Sequence, residues 1–362
     1  MRTERVATVR ARMQDLQVDA LLLSLGADLP WLTGYEAMPL ERLTMLVLPN
    51  DDDAVLVVPA LEAPRVAVDD TIFTLRPWGE TDDPVGIVAS LVGSRRRLAV
   101  SDRTWAMFVL ALQQRLPEAS WSASSTVTGP LRAVKDAGEV AALRAVAAAA
   151  DRVALQLVSG ELPLIGRTEA DVSADISARL RAEGHDRVNF AIVGSGPNAA
   201  SPHHEPGDRV IGAGESVVCD FGGTMDGYCS DITRTVFTGP VPSEFRDLYS
   251  VLQSAQAAAV AAAVVGTPCE EVDAVARRII TEAGYGPQFI HRTGHGIGVE
   301  EHEDPYLVAG NATPLAAGHA FSIEPGIYVT GRWGARIEDI VVATDDGPDA
   351  LNTVSHDLAE VG

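Results

Sequence analysis

One lysine, three cysteines and no long apolar run set this 362-residue chain apart by what it leaves out. Lys135 stands alone; nearly all positive charge is arginine, a compositional bias rather than a functional signal. Acidic residues outnumber basic ones 50 to 28, giving a net charge of −22. Duplex binding needs clustered cations to displace counterions, so this balance argues against a nucleic-acid partner. It argues equally against an anionic membrane surface. The plain reading of the acidity is solubility. Cys219, Cys229 and Cys269 are too few and too odd in number for a disulfide scaffold, and they fit a reducing cytoplasm. No C-x-x-C spacing exists to build a thiolate zinc knuckle. With no 18-residue apolar span and a polar start, Met1-Arg-Thr-Glu-Arg-Val6, neither a membrane helix nor a signal peptide is expected.

What is present describes a globular protein of two domains, with 46% hydrophobic residues over a length sufficient for two cores. Helical spacing runs over residues 2–16, with Val6, Val9, Met13 and Leu16 recurring at threes and fours. Short apolar runs at 20–25, 43–48 and 54–58 follow, split by turn-rich pieces. Pro84 after Asp83 opens a helix, and another covers residues 105–116. This alternation predicts an N-terminal α/β domain over 1–125. The Ser/Thr-rich stretch 122–129 reads as a linker, with a larger domain over 130–362. There an Ala-rich helix is expected over 137–159, and Thr168-Glu-Ala-Asp171 has the form of a capping box. Further helices are expected over 243–265 and 267–283. Strands are expected at 189–193, 216–221, 228–237, 320–323, 326–329 and 335–343. Several are joined by tight turns, which favours an antiparallel α+β sheet with helices outside it.

Five side chains in this half form a set: Asp220, Asp231, His295, Glu324 and Glu338. Asp220 ends an apolar run, and the turn Phe221-Gly-Gly-Thr-Met-Asp-Gly227 leads back to Asp231, so both acids can lie on facing strands. A surface hairpin with two solvated acids is the competing reading. His295 sits between glycines in Thr293-Gly-His295-Gly-Ile-Gly298, where the backbone can approach other groups closely. Glu324 and Glu338 interrupt apolar strands, and a buried carboxylate is costly without compensation. Arg336 can serve one of them; a pair of metal ions serves both. Four carboxylates and one imidazole suit hard or borderline ions such as manganese or cobalt. Two such ions side by side are the machinery of metal-assisted hydrolysis. His203 and His302 can hold or shuttle a proton nearby, or else are solvated loop residues.

Together the phrases Cys219-Asp220-Phe-Gly-Gly223, Ser230-Asp231-Ile-Thr-Arg-Thr235, Thr293-Gly-His295-Gly-Ile-Gly298, Ile323-Glu324-Pro-Gly-Ile-Tyr328 and Arg336-Ile-Glu338-Asp339 resemble the Xaa-Pro peptidases. This is the aminopeptidase P and prolidase group of pita-bread metallopeptidases. Trp31-Leu-Thr-Gly-Tyr35 is similar to a phrase of their N-terminal domain. The resemblance implies two divalent ions, manganese or cobalt, held by Asp220, Asp231, His295, Glu324 and Glu338, with Glu324 also the general base. It implies that His203 holds substrate, that His302 polarises the scissile carbonyl, and that Arg336 orients Glu338 or Asp231. A homodimer acting on proline-containing peptides is implied as well. Some dipeptidases of the group clamp the substrate carboxylate with an arginine; the matching position here is Tyr306, which leaves Arg292 or Arg332 as substitutes. Competing readings are another hydrolase on the same site, such as a methionine aminopeptidase or phosphotriesterase, and a metal-free binding module of the same fold.

Overall fold

Helices begin where the sequence supplies caps. In the computed structural model, which describes residues 2–362, Asp83 accepts a hydrogen bond from the Gly86 amide and Pro84 opens the helix Pro84–Val92. Thr168 and Asp171 form the capping box of Glu169–Ala182. Asp136 and Glu139 form a second box at Ala137–Val158, unremarked in the sequence. Each cap satisfies amides with no partner inside the helix, worth about 1 kcal/mol.

The chain divides into two compact units between Arg132 and Ala133. In the first, six strands lie side by side in the order Thr74–Trp78, Val55–Pro59, Met45–Pro49, Ala20–Leu23, Arg97–Val100 and Ser120–Ala123. Ala20–Leu23 runs antiparallel to Met45–Pro49 and parallel to Arg97–Val100. Leu21, Leu22 and Leu23 are all fully buried, as a central strand covered on both faces requires. Val88, Val92, Phe108 and Leu112, from the helices Pro84–Val92 and Ala106–Arg115, pack on Leu22, Met45 and Val47. The expected linker at 122–129 is instead the end of an edge strand and the start of the helix Ser125–Ala133. Its hydroxyls are satisfied internally: Ser124 donates to Asp28 at 2.6 Å, while Thr126 and Thr128 donate back to the carbonyls of Ala123 and Ser124. Composition alone could not distinguish such bonds from solvation.

The second unit is α+β. Its first sheet sets Ala359–Val361, Ile232–Thr238, Ser216–Met225 and Arg187–Ser195 side by side, with Tyr228–Cys229 turned back onto Ser216–Met225. The second holds Glu303–Leu307, Gly294–Gly296, Ala320–Ile323, Asp339–Thr344 and Gly347–Ala350. Pairing is antiparallel except for Ala359–Val361, which runs parallel to Ile232–Thr238. Gly326–Val329 and Trp333–Arg336 form a separate hairpin. A hydrogen bond donated by the Glu338 amide to the Thr233 carbonyl couples the two sheets. Val153, Leu157, Val172 and Ile176 of two helices cover one face of the first sheet. Leu248, Leu252, Val272 and Ala276, from Ser243–Ala262 and Cys269–Glu282, cover the second. Strand alternation then decides what points the other way: Asp220 lies between core residues Cys219 and Phe221, and Ser322 between Phe321 and Ile323.

The single strand expected over 228–237 is broken at Ser230 and Asp231. A Cβ on Gly222 would lie 2.1 Å from the Ser230 carbonyl oxygen, so the chains pinch together there. Ser230 Oγ accepts from the Gly223 amide and bonds His185 Nε2. Released from the ladder, Asp231 turns inward.

Candidate metal centre

The five residues singled out in the sequence line one cleft of about 590 Å³. Asp220 and Asp231 come from the first sheet and its broken return strand; His295 sits in the short strand Gly294–Gly296; Glu324 and Glu338 flank the hairpin. The glycines beside His295 are sterically obligatory. A Cβ on Gly294 would lie 1.9 Å from the Ser322 oxygen, and one on Gly296 2.2 Å from that of Asp304. Ser322 Oγ accepts from the His295 amide, fixing the strand in register.

Asp231, His295 and Glu338 each offer a ligand atom, all within 4.8 Å of one another. His295 Nε2 lies 3.6 Å from Asp231 Oδ2 and 3.5 Å from Glu324 Oε1. The Gly296 carbonyl, 3.1 Å from Nδ1, can only accept, so Nδ1 carries the proton. Nε2 therefore turns a lone pair toward two carboxyl groups and donates a hydrogen bond to neither. Burial, reinforced by His302, pulls the His295 pKa down to about 3 and keeps the ring neutral. Burial and the charges of neighbouring acids push Asp231 and Glu338 well above the carboxylate range. Glu324 is pushed up to about 7, chiefly by burial, against the pull of Arg336. Asp220 Oδ1 is buried with no hydrogen-bond partner among the described residues. A lone pair facing carboxylates, acids that resist ionising together and an orphaned buried oxygen all fit a divalent cation.

Arg336 is the fully buried cation of this site, and its partner differs from the expectation. Its NH2 donates to Asp220 Oδ2 at 2.5 Å, and it reaches Glu338 only through Thr233, whose hydroxyl accepts from Nε and donates to Glu338 Oε2 at 2.6 Å. Asp231 takes no hydrogen bond from it. The alternating sheet faces, not sequence proximity, set this arrangement. His203 and His302 both line the cleft, and the His302 ring centroid is 4.0 Å from that of His295. Arg292 lines it too, with its guanidinium 4.5 Å over the Tyr306 ring. Arg332 does not; it pairs with Glu244 and lies over Trp333. Cys229 is a packed, buried thiol.

Sequence reasoning passed over several members. Phe190 and Ile192, two apart on the strand Arg187–Ser195, supply an apolar wall, and Glu301 adds a fifth acid to the lining. His291, Tyr328 and Arg336 form a chain: Arg336 NH1 donates to the Tyr328 oxygen, so Tyr328 donates to His291 Nε2, and His291 Nδ1 donates to the Arg292 carbonyl. Tyr328 ends one of the quoted phrases and His291 lies two residues before another, but only a long-range hydrogen bond shows what they hold.

The profile of metallopeptidase family M24 matches residues 137–345, and that of the creatinase/prolidase N-terminal domain matches residues 5–134. A probable dipeptidase, PepE, of Mycobacterium tuberculosis is 45% identical over 362 residues, covering 99% of this chain and 96% of that one. The crystal structure of prolidase from Thermococcus sibiricus superposes with a TM-score of 0.92 at 35% identity, covering 98% of this chain and 97% of that one. An Xaa-Pro dipeptidase from Bacillus anthracis superposes with a TM-score of 0.91 at 27% identity over 100% of both chains. The cleft, the two-sheet frame and these likenesses agree: the chain belongs to metallopeptidase family M24 and carries its pita-bread fold behind a creatinase/prolidase N-terminal domain.

Proposed function

We propose that the chain is a metal-dependent dipeptidase that hydrolyses the bond before proline in Xaa-Pro dipeptides. The observation that carries the reading is the His295 lone pair aimed at the carboxylates of Asp231 and Glu324. The M24 match and the prolidase likeness support it. Asp220, Asp231, His295, Glu324 and Glu338 would hold two divalent ions, manganese or cobalt by the oxygen-rich donor set. When bound, such ions supply Lewis acidity at the scissile carbonyl and a water nucleophile activated at neutral pH.

The protein's own groups do the rest. Glu324, whose Oε1 lies 3.5 Å from His295 Nε2 at the edge of the site, would take a proton from water and deliver it to the departing imino nitrogen. His203 and His302 face the cleft, where they would hold the carbonyl oxygen as charge develops on it. Arg336, through Asp220 and Thr233, fixes the acids. Arg292, the cleft's one arginine with no ion pair among the described residues, would receive the dipeptide carboxylate, with Tyr306 beneath it. Xaa-Pro is a tertiary amide with no N–H and a fixed φ, so peptidases that bind that N–H fail on it. Three buried free thiols support a reducing, cytoplasmic home; a homodimer follows the family resemblance.

The test compares Ala-Pro with Ala-Pro-Ala on manganese-loaded protein. Faster release of proline from Ala-Pro is expected. Preference for the tripeptide would make the chain an aminopeptidase, and inertness toward both would reject the reading.

A further inference from the structure

Glu169 is a carboxylate with no accessible surface, on a helix start outside the cleft. Its Oε1 accepts from the Ser195 amide at 2.8 Å, the Ser195 hydroxyl at 2.7 Å and the Asn198 side chain at 3.1 Å. Oε2 accepts from Asn198 at 3.0 Å and lies 2.7 Å from His204 Nε2. Burial opposes its charge, yet the hydrogen bonds prevail and hold the carboxyl below its ordinary range. Four hydrogen bonds and a histidine contact thus converge on one acid that does not line the cleft.

The groups it gathers share one trait: they bracket a single excursion of the chain. Ser195 ends the strand that carries Phe190 and Ile192 into the cleft wall, and Asn198 lies in the turn Gly196–Ala200. His204 comes next after His203. Backbone bonds extend the bracket, from the Glu169 amide to the Arg209 carbonyl and from the Ala170 amide to that of Gly207. Between the clamps, the Pro202 carbonyl accepts from Arg336 NH1 at 3.3 Å, and His203 projects into the cleft while largely exposed. An exposed side chain on a loop gains no orientation from packing. It is fixed through its two chain neighbours, Pro202 by the bond from Arg336 and His204 by the bond to Glu169.

We propose that Glu169 and His204 form a brace that positions His203 for the substrate, making both positioning residues of the peptidase site rather than parts of its core. This rests on the Xaa-Pro reading above for its kinetic expression, but not for its structural one. A misplaced group costs up to about 100-fold in rate. His204→Ala should therefore lower kcat/KM on Ala-Pro by roughly 10- to 100-fold in the manganese-loaded enzyme. Metal stoichiometry, read by elemental analysis, should be unchanged. His204→Gln, which keeps a donor for Glu169, should recover most of the loss. In a His203→Ala background, adding His204→Ala should cost less than about twofold more, because the group it positions is gone. A purely structural role would make the two losses multiply.

A second measurement needs no substrate. In metal-free protein, His204→Ala should speed amide hydrogen exchange across residues 195–204 and leave the strand Ser216–Met225 protected. Faster exchange with no Xaa-Pro cleavage by wild type keeps the brace and rejects the substrate. Multiplying losses, or exchange unchanged across 195–204, overturns the brace.

Discussion

Glu338 and Asp339 are neighbours in the chain, both buried, yet their surroundings are opposite. Asp339 faces the fully buried Arg234 at 2.8 Å and His356 at 2.5 Å; these partners outweigh burial and hold its carboxyl below the usual range. Glu338 faces the cleft, where burial and the charges of Glu324 and Asp220 drive its pKa well up. The same division recurs across this unit. Glu303 is paired with Lys135, the only lysine, at 2.7 Å, and Asp273 takes a two-point bond from Arg277. Away from the cleft, buried acids bring their own cations or donors. Inside it, among the described residues, Arg336 is the one buried cation for the five acids of the lining. The fold thus shows that it can neutralise a buried carboxylate wherever neutrality is all that is needed. The uncompensated set is left open for charge supplied from outside.

The largest break in this contrast is Glu324→Gln. Turnover of Ala-Pro should fall by about 1,000-fold or more, with circular dichroism unchanged; near-normal turnover would remove Glu324 as the base. Next is Asp339→Asn, which strands Arg234 in the interior. Unfolding free energy should drop by about 3–5 kcal/mol in urea titrations, with or without metal.

Glu338→Gln sharpens the comparison, since its sign should depend on metal. Metal-free protein should be stabilised by about 1–2 kcal/mol near pH 7, because a neutral amide spares the proton uptake that this crowded carboxyl undergoes on folding. In excess manganese the same variant should be the less stable protein. A loss of stability in both states would show that Glu338 is compensated by the chain itself.

An effect confined to acid pH concerns His319, buried beside Lys135 and away from the cleft. Its Nδ1 accepts from the Ala316 amide, and burial, then Lys135, lowers its pKa from 6.5 to about 4. The unfolded chain therefore binds the proton first. Stability from this group is whole above pH 6.5 and drains as pH falls toward 4, by up to about 3 kcal/mol. His319→Gln should lose less between pH 7 and pH 4.5 than wild type, as read from urea midpoints. Parallel losses would mean the ring already carries its proton in the folded state.

Much of the site was legible because each ligand candidate breaks a local rule. Acids interrupt apolar strands at Glu324 and Glu338, and glycines crowd His295. Helices were legible where Asp83 and Thr168 announce them. What stayed hidden depends on distant partners. The bond from Arg336 to Asp220 spans 116 positions, and Glu169 meets Ser195 and His204 across 26 and 35. The Ser/Thr stretch at 122–129 misled for the same reason, since its hydroxyls find backbone and Asp28 rather than water. Period and composition report what a segment prefers alone, and these contacts exist only once the sheets are assembled.

Calorimetric titration of metal-free protein with manganese tests the central claim most directly. The account predicts two ions bound per chain, a rise in thermal midpoint with metal, and loss of at least one ion in Glu338→Gln. A titration that shows no binding, or equal binding by that variant, would contradict it.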